Sequence, residues 1–314
     1  MPIDPIDGIF EAFSSSDIVA LGEGPHRNEQ AHKIRVELIR DPRFAGILND
    51  IVVEFGSGRY QSVMDRFIAG EDVAYSDLRH AWEDTTAIGD IWDRPIYEEF
   101  FRAVRDVNSE LPEHQRYRVL LGGPPVDWQA VLQADAPINI TSGWGDQHAA
   151  ALIRREVLDK NRKALVLYAN VHLLRAPRVN IPVSLPPAIL EILKAETDAE
   201  LFSIYTTHIG TAFTLEPDIE TWPFPALTTV RGTALGTAQF SYHHSGVSDG
   251  PYQAMQEQFD AILYLGGLSD LTFSGRNPAR CAEPEYLQMR RQRMEHVGAT
   301  AQSLMRFCEA LEMH

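Results

Sequence analysis

The chain is poor in the residues that build metal–thiolate sites, disulfide-rich folds and membrane spans. It has two cysteines, Cys281 and Cys308, and no Cys-x-x-Cys pair, so we expect neither a zinc–thiolate site nor a disulfide framework. No apolar run approaches the about 20 residues that a membrane-spanning helix needs. The acidic segment Met1–Asp7 also lacks the long apolar stretch of a secretory signal. These absences predict a cytoplasmic protein that does not bind a membrane.

Basic residues are also scarce. The sequence has 28 Lys and Arg against 44 Asp and Glu, which gives a formal net charge of −16. Nucleic acids and anionic membranes are bound by basic patches, so we expect neither as a partner. The apolar fraction of 44% is typical of a globular protein. With nucleic acids and membranes disfavoured, we expect the partner to be a small-molecule substrate. The sequence does not predict the oligomeric state.

The sequence motifs of three large enzyme classes are absent. Gly122–Pro125 follows an apolar run but lacks the lysine and spacing of a phosphate-binding loop, and Gly56–Gly58 is not a dinucleotide fingerprint. No Gly-x-Ser-x-Gly nucleophile elbow is present, which disfavours a serine esterase.

Short β-rich runs alternate with helical patterns along the chain, which predicts an α/β fold with a mainly parallel central sheet flanked by helices. Residues 60–116 contain helical patterns and no good strand, so we expect a helical cap inserted into a single domain over 1–314. Residues 207–260 are rich in Thr, Gly and Pro and predict irregular structure with some short strands. The predicted strands are Ile18–Leu21, Ile51–Phe55, Tyr117–Leu121, Ala164–Tyr168, Phe202–Thr206 and Ala261–Leu265. The predicted helices include Asn28–Arg40, Arg94–Asn108, Asp146–Leu158 and a long closing helix, Tyr286–Leu311.

The first predicted strand ends in a turn that carries a carboxylate and an imidazole. It runs into Gly22-Glu23-Gly24-Pro25-His26, and ligands of α/β sheets bind just outside such strand ends. Pro25 suits the first position of a helix, whose positive end would keep Glu23 ionised and His26 neutral. A neutral imidazole beside a carboxylate is the arrangement of a general base. The alternative is that Glu23 only caps the helix and His26 is a half-exposed surface residue.

Two further strands end in polar residues. Glu54 closes the second apolar run, where an unpaired charge would be expensive, and Asn170 and His172 follow the fourth run. Because parallel strands end at one edge of a sheet, we expect His172 to reach the same crevice as His26. Arg59 is the nearest counter-charge to Glu54, so the pair could also be a structural ion pair. As working residues, Arg59 and Asn170 are candidate substrate contacts.

Other histidines give weaker signals. His208 follows the fifth strand and could line the same rim as a substrate contact. His243 and His244 lie in a Ser/Gly-rich stretch, which favours an exposed loop, with a substrate contact as the alternative. His148, beside Asp146 on a helical pattern, is expected at the surface.

In order and placement, three motifs resemble those of the erythromycin esterase family, which belongs to a wider group with Tiki/TraB-like proteins and ChaN-like haem-binding proteins. The motifs are Ala20–His26, Val53-Glu54 and Ala169–His172, and a Phe-Asp-Ala run at Phe259–Ala261 precedes a late strand as in the family. The resemblance spans about residues 16–265. The chain has Pro25 where the esterases usually have threonine, and it lacks the acidic motif that usually ends their third strand.

The resemblance implies a hydrolase of an ester, lactone or amide that needs no cofactor. In this interpretation His26 activates a water, Glu23 orients His26, and Glu54 and His172 complete the polar cluster. The Tiki-like branch implies instead that the same four residues hold a divalent metal such as Mn²⁺, Zn²⁺ or Fe²⁺. The ChaN-like branch implies a non-enzymatic carrier of haem or another small molecule. In a carrier, Tyr60, His208 and the histidines at 243 and 244 would matter more.

Overall fold

A seven-stranded sheet organises the chain. The structure is a computed structural model, and it describes residues 1–87, 89–134, 144–176, 186–207, 222–240 and 253–312. Two of its nine strands, β7 and β8, form a separate antiparallel ribbon. The strands are β1 (Ile18–Gly22), β2 (Asp50–Ser57), β3 (Arg118–Gly123), β4 (Ala164–Tyr168), β5 (Leu201–Thr206), β6 (Ala226–Thr229), β7 (Gln239–Phe240), β8 (Gln253–Ala254) and β9 (Ala261–Tyr264).

Helices cover both faces of the sheet. The α-helices are α1 (Pro5–Ala12), α2 (Glu29–Arg40), α3 (Gln61–Ile68), α4 (Tyr75–Leu78), α5 (His80–Glu83), α6 (Pro95–Glu110), α7 (Trp128–Ala134), α8 (Trp144–Glu156), α9 (Ile189–Glu196), α10 (Ala234–Thr237), α11 (Met255–Gln258), α12 (Pro284–His296) and α13 (Gln302–Glu312). Short 3₁₀ turns occur at Phe44–Gly46, Gly58–Tyr60, Ile91–Asp93, Glu113–Gln115, Leu158–Lys160, Asn170–Leu173, Leu268–Asp270 and Pro278–Ala282. Within the described ranges, no helix is both long and apolar enough to cross a membrane.

The sheet confirms the predicted fold class. Its strand order is β3-β2-β4-β1-β5-β9-β6. Each neighbouring pair is parallel except β9 with β6, and all six predicted strands are present within two residues of their expected ends. The Thr/Gly/Pro-rich region supplies the antiparallel edge strand β6.

The apolar runs become central strands because both of their faces are covered. Every residue of β1 and of β4 is buried. Val19 and Leu21 pack on the face that carries α2 and α6, while Ile18 and Ala20 pack on the opposite face with α8 and α9. This division follows from the two-residue period of a strand.

The residues between β2 and β3 that the structure describes form helices and turns and contain no strand. Phe100 and Phe101 of α6 are fully buried beside Phe55 of β2, with ring centroids 5.8 and 5.4 Å from it. This stretch therefore packs directly on the end of the sheet. That it acts as a cap over a site stays a prediction.

The C-terminal region differs from the sequence prediction in two ways. The single long helix expected over Tyr286–Leu311 is wrong, because the helix stops at His296 and a second one begins at Gln302. Gly298 lies between them with φ +73°, a conformation that ends helices. The expectation for the cysteines is also corrected, since Cys281 and Cys308 form a disulfide across the break.

Candidate active site

Glu23 is the most enclosed charge at the carboxyl edge of the sheet. Its side chain accepts a hydrogen bond from the Tyr97 hydroxyl at 2.7 Å, and the Arg35 guanidinium lies 3.3 Å from the same oxygen. The other carboxylate oxygen lies 2.7 Å from Nδ1 of His26. Glu23 and Arg35 are only 3% and 2% exposed, so this carboxylate is fixed by three partners on two helices and one turn.

The electrostatics of the pair follow from these contacts. Burial works against the ionised form of Glu23, but His26, Arg35 and Tyr97 outweigh it and lower its pKa from 4.5 to about 2. Burial likewise works against protonated His26, but Glu23 outweighs it, so the pKa of His26 is raised above 6.5. His26 therefore holds its proton more strongly than a free histidine does.

This result corrects the interpretation of the first motif. The helix α2 begins at Glu29 with Asn28 as its cap, so Pro25 and His26 lie in the preceding turn and not in the first helical turn. The helix end is therefore too far from His26 to keep it neutral. Arg27, directly after His26, has φ +72°, a left-handed conformation that side chains other than glycine rarely adopt.

Glu54 lies inside β2, where the pairing of β2 with β3 shifts register between Val53 and Ser57. Such an irregularity redirects side chains at strand ends. One carboxylate oxygen of Glu54 accepts a hydrogen bond from the backbone N–H of Ala169 at 2.7 Å, and the other lies 3.5 Å from Nε2 of His172. The alternative that Glu54 and Arg59 form a structural ion pair is therefore wrong, because Glu54 is bonded to Ala169 and Arg59 pairs with Asp127.

His172 lies between two carboxylates. Its Nδ1 is 2.5 Å from a carboxylate oxygen of Asp146, on the side opposite Glu54. Asp146 is 7% exposed and stands in the first turn of α8. The contact of Asp146 with His172 was not predicted from the sequence, and its place in the first turn of a helix was the available signal. The neighbouring His148 is partly buried, and burial lowers its pKa, which corrects its expected surface position.

The structure brings together the four predicted site residues of β1, β2 and β4, which are adjacent in the sheet. Glu54 and His172 both act electrostatically on His26, and the Trp92 ring packs edge-on against His26 with centroids 4.7 Å apart. A cavity of about 230 Å³ opens beside Glu54 and His172, and Trp92 stands between it and His26 as one of its lining residues. It is lined by Glu54, Thr85, Thr86, Ala87, Trp92, Gly122, Gly123, Pro124, Trp144, Gly145, Asp146, Tyr168 and His172.

Two of the three predicted substrate contacts, Asn170 and Arg59, are bonded to other parts of the protein. Asn170 is buried, and its amide group pairs with the backbone of Thr206 through bonds of 2.8 and 3.1 Å, so it ties β4 to β5. Arg59 is 43% exposed and its guanidinium lies 2.9 Å from Asp127. His208 lies outside the described residues, as do the histidines at 243 and 244.

The carboxylates of the site are bonded to neighbouring protein groups. Across the described ranges, no group of three or more His, Cys, Asp or Glu side chains is placed to hold a metal ion. The oxygens of Glu23 are occupied by His26, Arg35 and Tyr97. The four residues named as a possible ligand set thus form pairs of carboxylate and imidazole.

Comparisons with known proteins show the fold. No protein-family profile matches the sequence, and no curated protein matches it. Among solved structures, a succinoglycan biosynthesis protein superposes with a TM-score of 0.61 at 10% identity, over 88% of this chain and 95% of that one. A Bacillus cereus protein gives 0.53 at 11% identity, over 85% and 91%.

A mutant of the erythromycin esterase EreC in its open conformation gives a TM-score of 0.46 at 12% identity, over 85% and 93%. This level of similarity carries no statement about activity. The chain is therefore related to these proteins distantly and in structure only, as an α/β fold with a mainly parallel sheet.

Proposed function

We propose that this protein is a hydrolase that activates a water molecule with His26 to cleave an ester, lactone or amide. The observation that carries the proposal is the pairing of His26 with the buried carboxylate of Glu23 at 2.7 Å, beside a second carboxylate–imidazole pair.

The contact with Glu23 assigns the roles of the two ring nitrogens of His26. Above the raised pKa of His26, the neutral ring donates its Nδ1 proton to Glu23, and Nε2 carries the lone pair that accepts a proton from water. The ionised carboxylate then stabilises the imidazolium that forms, as in other carboxylate-oriented bases. Arg35 and Tyr97 keep Glu23 ionised, so the base is oriented before substrate arrives.

His172 supplies the complementary proton. The water oxygen bonds to the carbonyl carbon while its proton moves to Nε2 of His26. The bond to the leaving oxygen or nitrogen then breaks, and that atom takes a proton from Nε2 of His172, whose Nδ1 is held by Asp146. Solvent then takes the extra proton from His26 and returns a proton to His172, which restores both groups to their starting states.

The test is hydrolysis of a panel of p-nitrophenyl esters, lactones and a macrolide, with and without EDTA. We compare the native protein with His26→Ala and with a control, His114→Ala, since His114 is exposed in a turn before β3. We expect turnover that survives EDTA, a loss of about 100- to 10,000-fold in His26→Ala, and no change in the control.

Three outcomes would contradict the proposal. An unchanged rate in His26→Ala would show that His26 is not the general base. Activity that EDTA abolishes and Mn²⁺ or Zn²⁺ restores favours the metal-dependent alternative. If the native protein turns over none of these substrates, the proposal of hydrolase activity is refuted.

A further inference from the structure

Tyr168 carries a buried hydroxyl that has no hydrogen-bond partner in the described part of the chain. It is the last residue of β4 and is 3% exposed. Among the residues that the structure describes, nothing accepts from or donates to its hydroxyl. Buried polar groups are almost always bonded, and an orphan at a cavity wall calls for an explanation.

The position of the hydroxyl is built into the sheet. Tyr168 reaches across β2 to β3, where a Cβ added to Gly122 would lie 2.0 Å from the hydroxyl oxygen. Only glycine leaves room for the phenol at that point. Gly122 and Tyr168 are both lining residues of the cavity, although the hydroxyl oxygen itself is buried against Gly122.

The surroundings of the phenol are those of the candidate active site. Its ring packs edge-on against His172 with centroids 5.8 Å apart. Burial, followed by the charges of Glu54 and Asp146, raises the pKa of Tyr168 well above 10. The hydroxyl therefore keeps its proton at any working pH and is available as a donor.

We propose that Tyr168 is a further catalytic residue of this hydrolase, whose hydroxyl donates a hydrogen bond to the carbonyl oxygen of the substrate as that oxygen becomes negative. The proposal rests on the hydrolase function above. The missing partner of the hydroxyl is then the substrate itself, and a donor fixed before the reaction strengthens its bond as charge develops.

The test compares Tyr168→Phe with a matched variant, Tyr117→Phe. Tyr117 is also buried with an unpartnered hydroxyl, but it directly precedes β3 at the opposite edge of the sheet. In Tyr168→Phe we expect kcat/KM to fall about 100-fold, mostly in kcat. The Tm should stay the same or rise, because a buried group without a partner has been removed. In Tyr117→Phe, activity should be unchanged and the Tm likewise not lowered.

A pair of substrates then identifies the atom that the hydroxyl contacts. Sulfur accepts hydrogen bonds weakly, so a thionoester should reduce the ratio of native to Tyr168→Phe rates towards one, while the matching oxoester keeps the large ratio. An equal ratio for both substrates would overturn the contact with the carbonyl oxygen.

The remaining outcomes separate the two proposals. If His26→Ala loses activity and Tyr168→Phe keeps it, only the role of Tyr168 is refuted. If Tyr168→Phe loses activity and its Tm also falls, the hydroxyl stabilises the fold, and its proposed catalytic role is refuted. No turnover by the native protein refutes both.

Discussion

Replacing Glu23 by glutamine should change how the stability of the protein depends on pH. The buried carboxyl has its pKa lowered from 4.5 to about 2, since His26, Arg35 and Tyr97 outweigh the cost of its burial. A carboxyl that binds its proton this much more weakly when folded contributes about 3 kcal/mol to the free energy of unfolding.

The direction of the effect follows from the two groups of the pair. The contribution of Glu23 is fully present above its unfolded pKa of 4.5 and is lost as the pH falls towards 2. The contribution of His26, whose pKa is raised, is present below 6.5 and is lost as the pH rises through its folded value. Glu23→Gln should therefore be most destabilised, relative to the native protein, between about pH 4.5 and 6.5. Near pH 2 the difference should shrink by about 3 kcal/mol.

The assay is urea unfolding followed by tryptophan fluorescence, from pH 8 down to 2. Glu99→Gln is the control, because Glu99 also stands beside a histidine, 3.5 Å from His32, but its side chain is 59% exposed. Exposed pairs contribute little, so the control should stay within about 1 kcal/mol of the native protein throughout. A difference for Glu23→Gln that is constant over this pH range would refute the assignment of a fixed, ionised Glu23.

Three further changes test other parts of the structure. Asp146→Asn should lower kcat at least about 100-fold in the ester assay, with little loss of secondary structure by circular dichroism, because it removes the partner that orients the second imidazole. A full rate would exclude that pair from the reaction. Replacing Cys281 and Cys308 by serine should cost about 3–4 kcal/mol in urea unfolding, the value for a closed loop of this length, since 27 positions separate them; unchanged stability would argue against the disulfide. Gly122→Ala should destabilise the protein by forcing a Cβ to within 2.0 Å of the Tyr168 hydroxyl. Adding Tyr168→Phe should recover part of the lost Tm, and an absence of recovery would contradict that contact.

The sheet was predictable because its signals are local. Each central strand is a short apolar run that both faces of the sheet bury, and the polar residues after β1 and β4 stand where parallel strands end. The positions of Glu23 and His172 at one edge followed from that rule alone, whereas Glu54 lies inside β2 at a register shift. The strand order β2-β4-β1 makes these three strands neighbours, but the prediction that their polar residues share one edge did not require that order.

The features that sequence reasoning missed depend on distant contacts. Asp146 is one acidic residue among many on a helical pattern until the fold places it 2.5 Å from His172. The predicted range Asn28–Arg40 matched α2, but the placement of Pro25 at its first position was wrong. Pro25 and Asn28 are both suitable residues for a helix beginning, and the Ala31 N–H, which donates to the Asn28 side chain, decides for Asn28. The disulfide needs the chain reversal at Gly298, which a continuous apolar pattern conceals.

The cavity wall at Thr85–Ala87 follows a residue whose partner is synthesised near the end of the chain. The preceding residue, Asp84, is held by Arg293 of α12 at 2.7 Å, across 209 positions of sequence. At a synthesis rate of about 5–20 residues per second, Arg293 is added to the chain about 10–40 s after Asp84. Until α12 is made and docks, Asp84 lacks this partner. The strands β1, β2 and β4 are all synthesised before α12, so this contact behind the cavity wall is added only after the strands that carry the site.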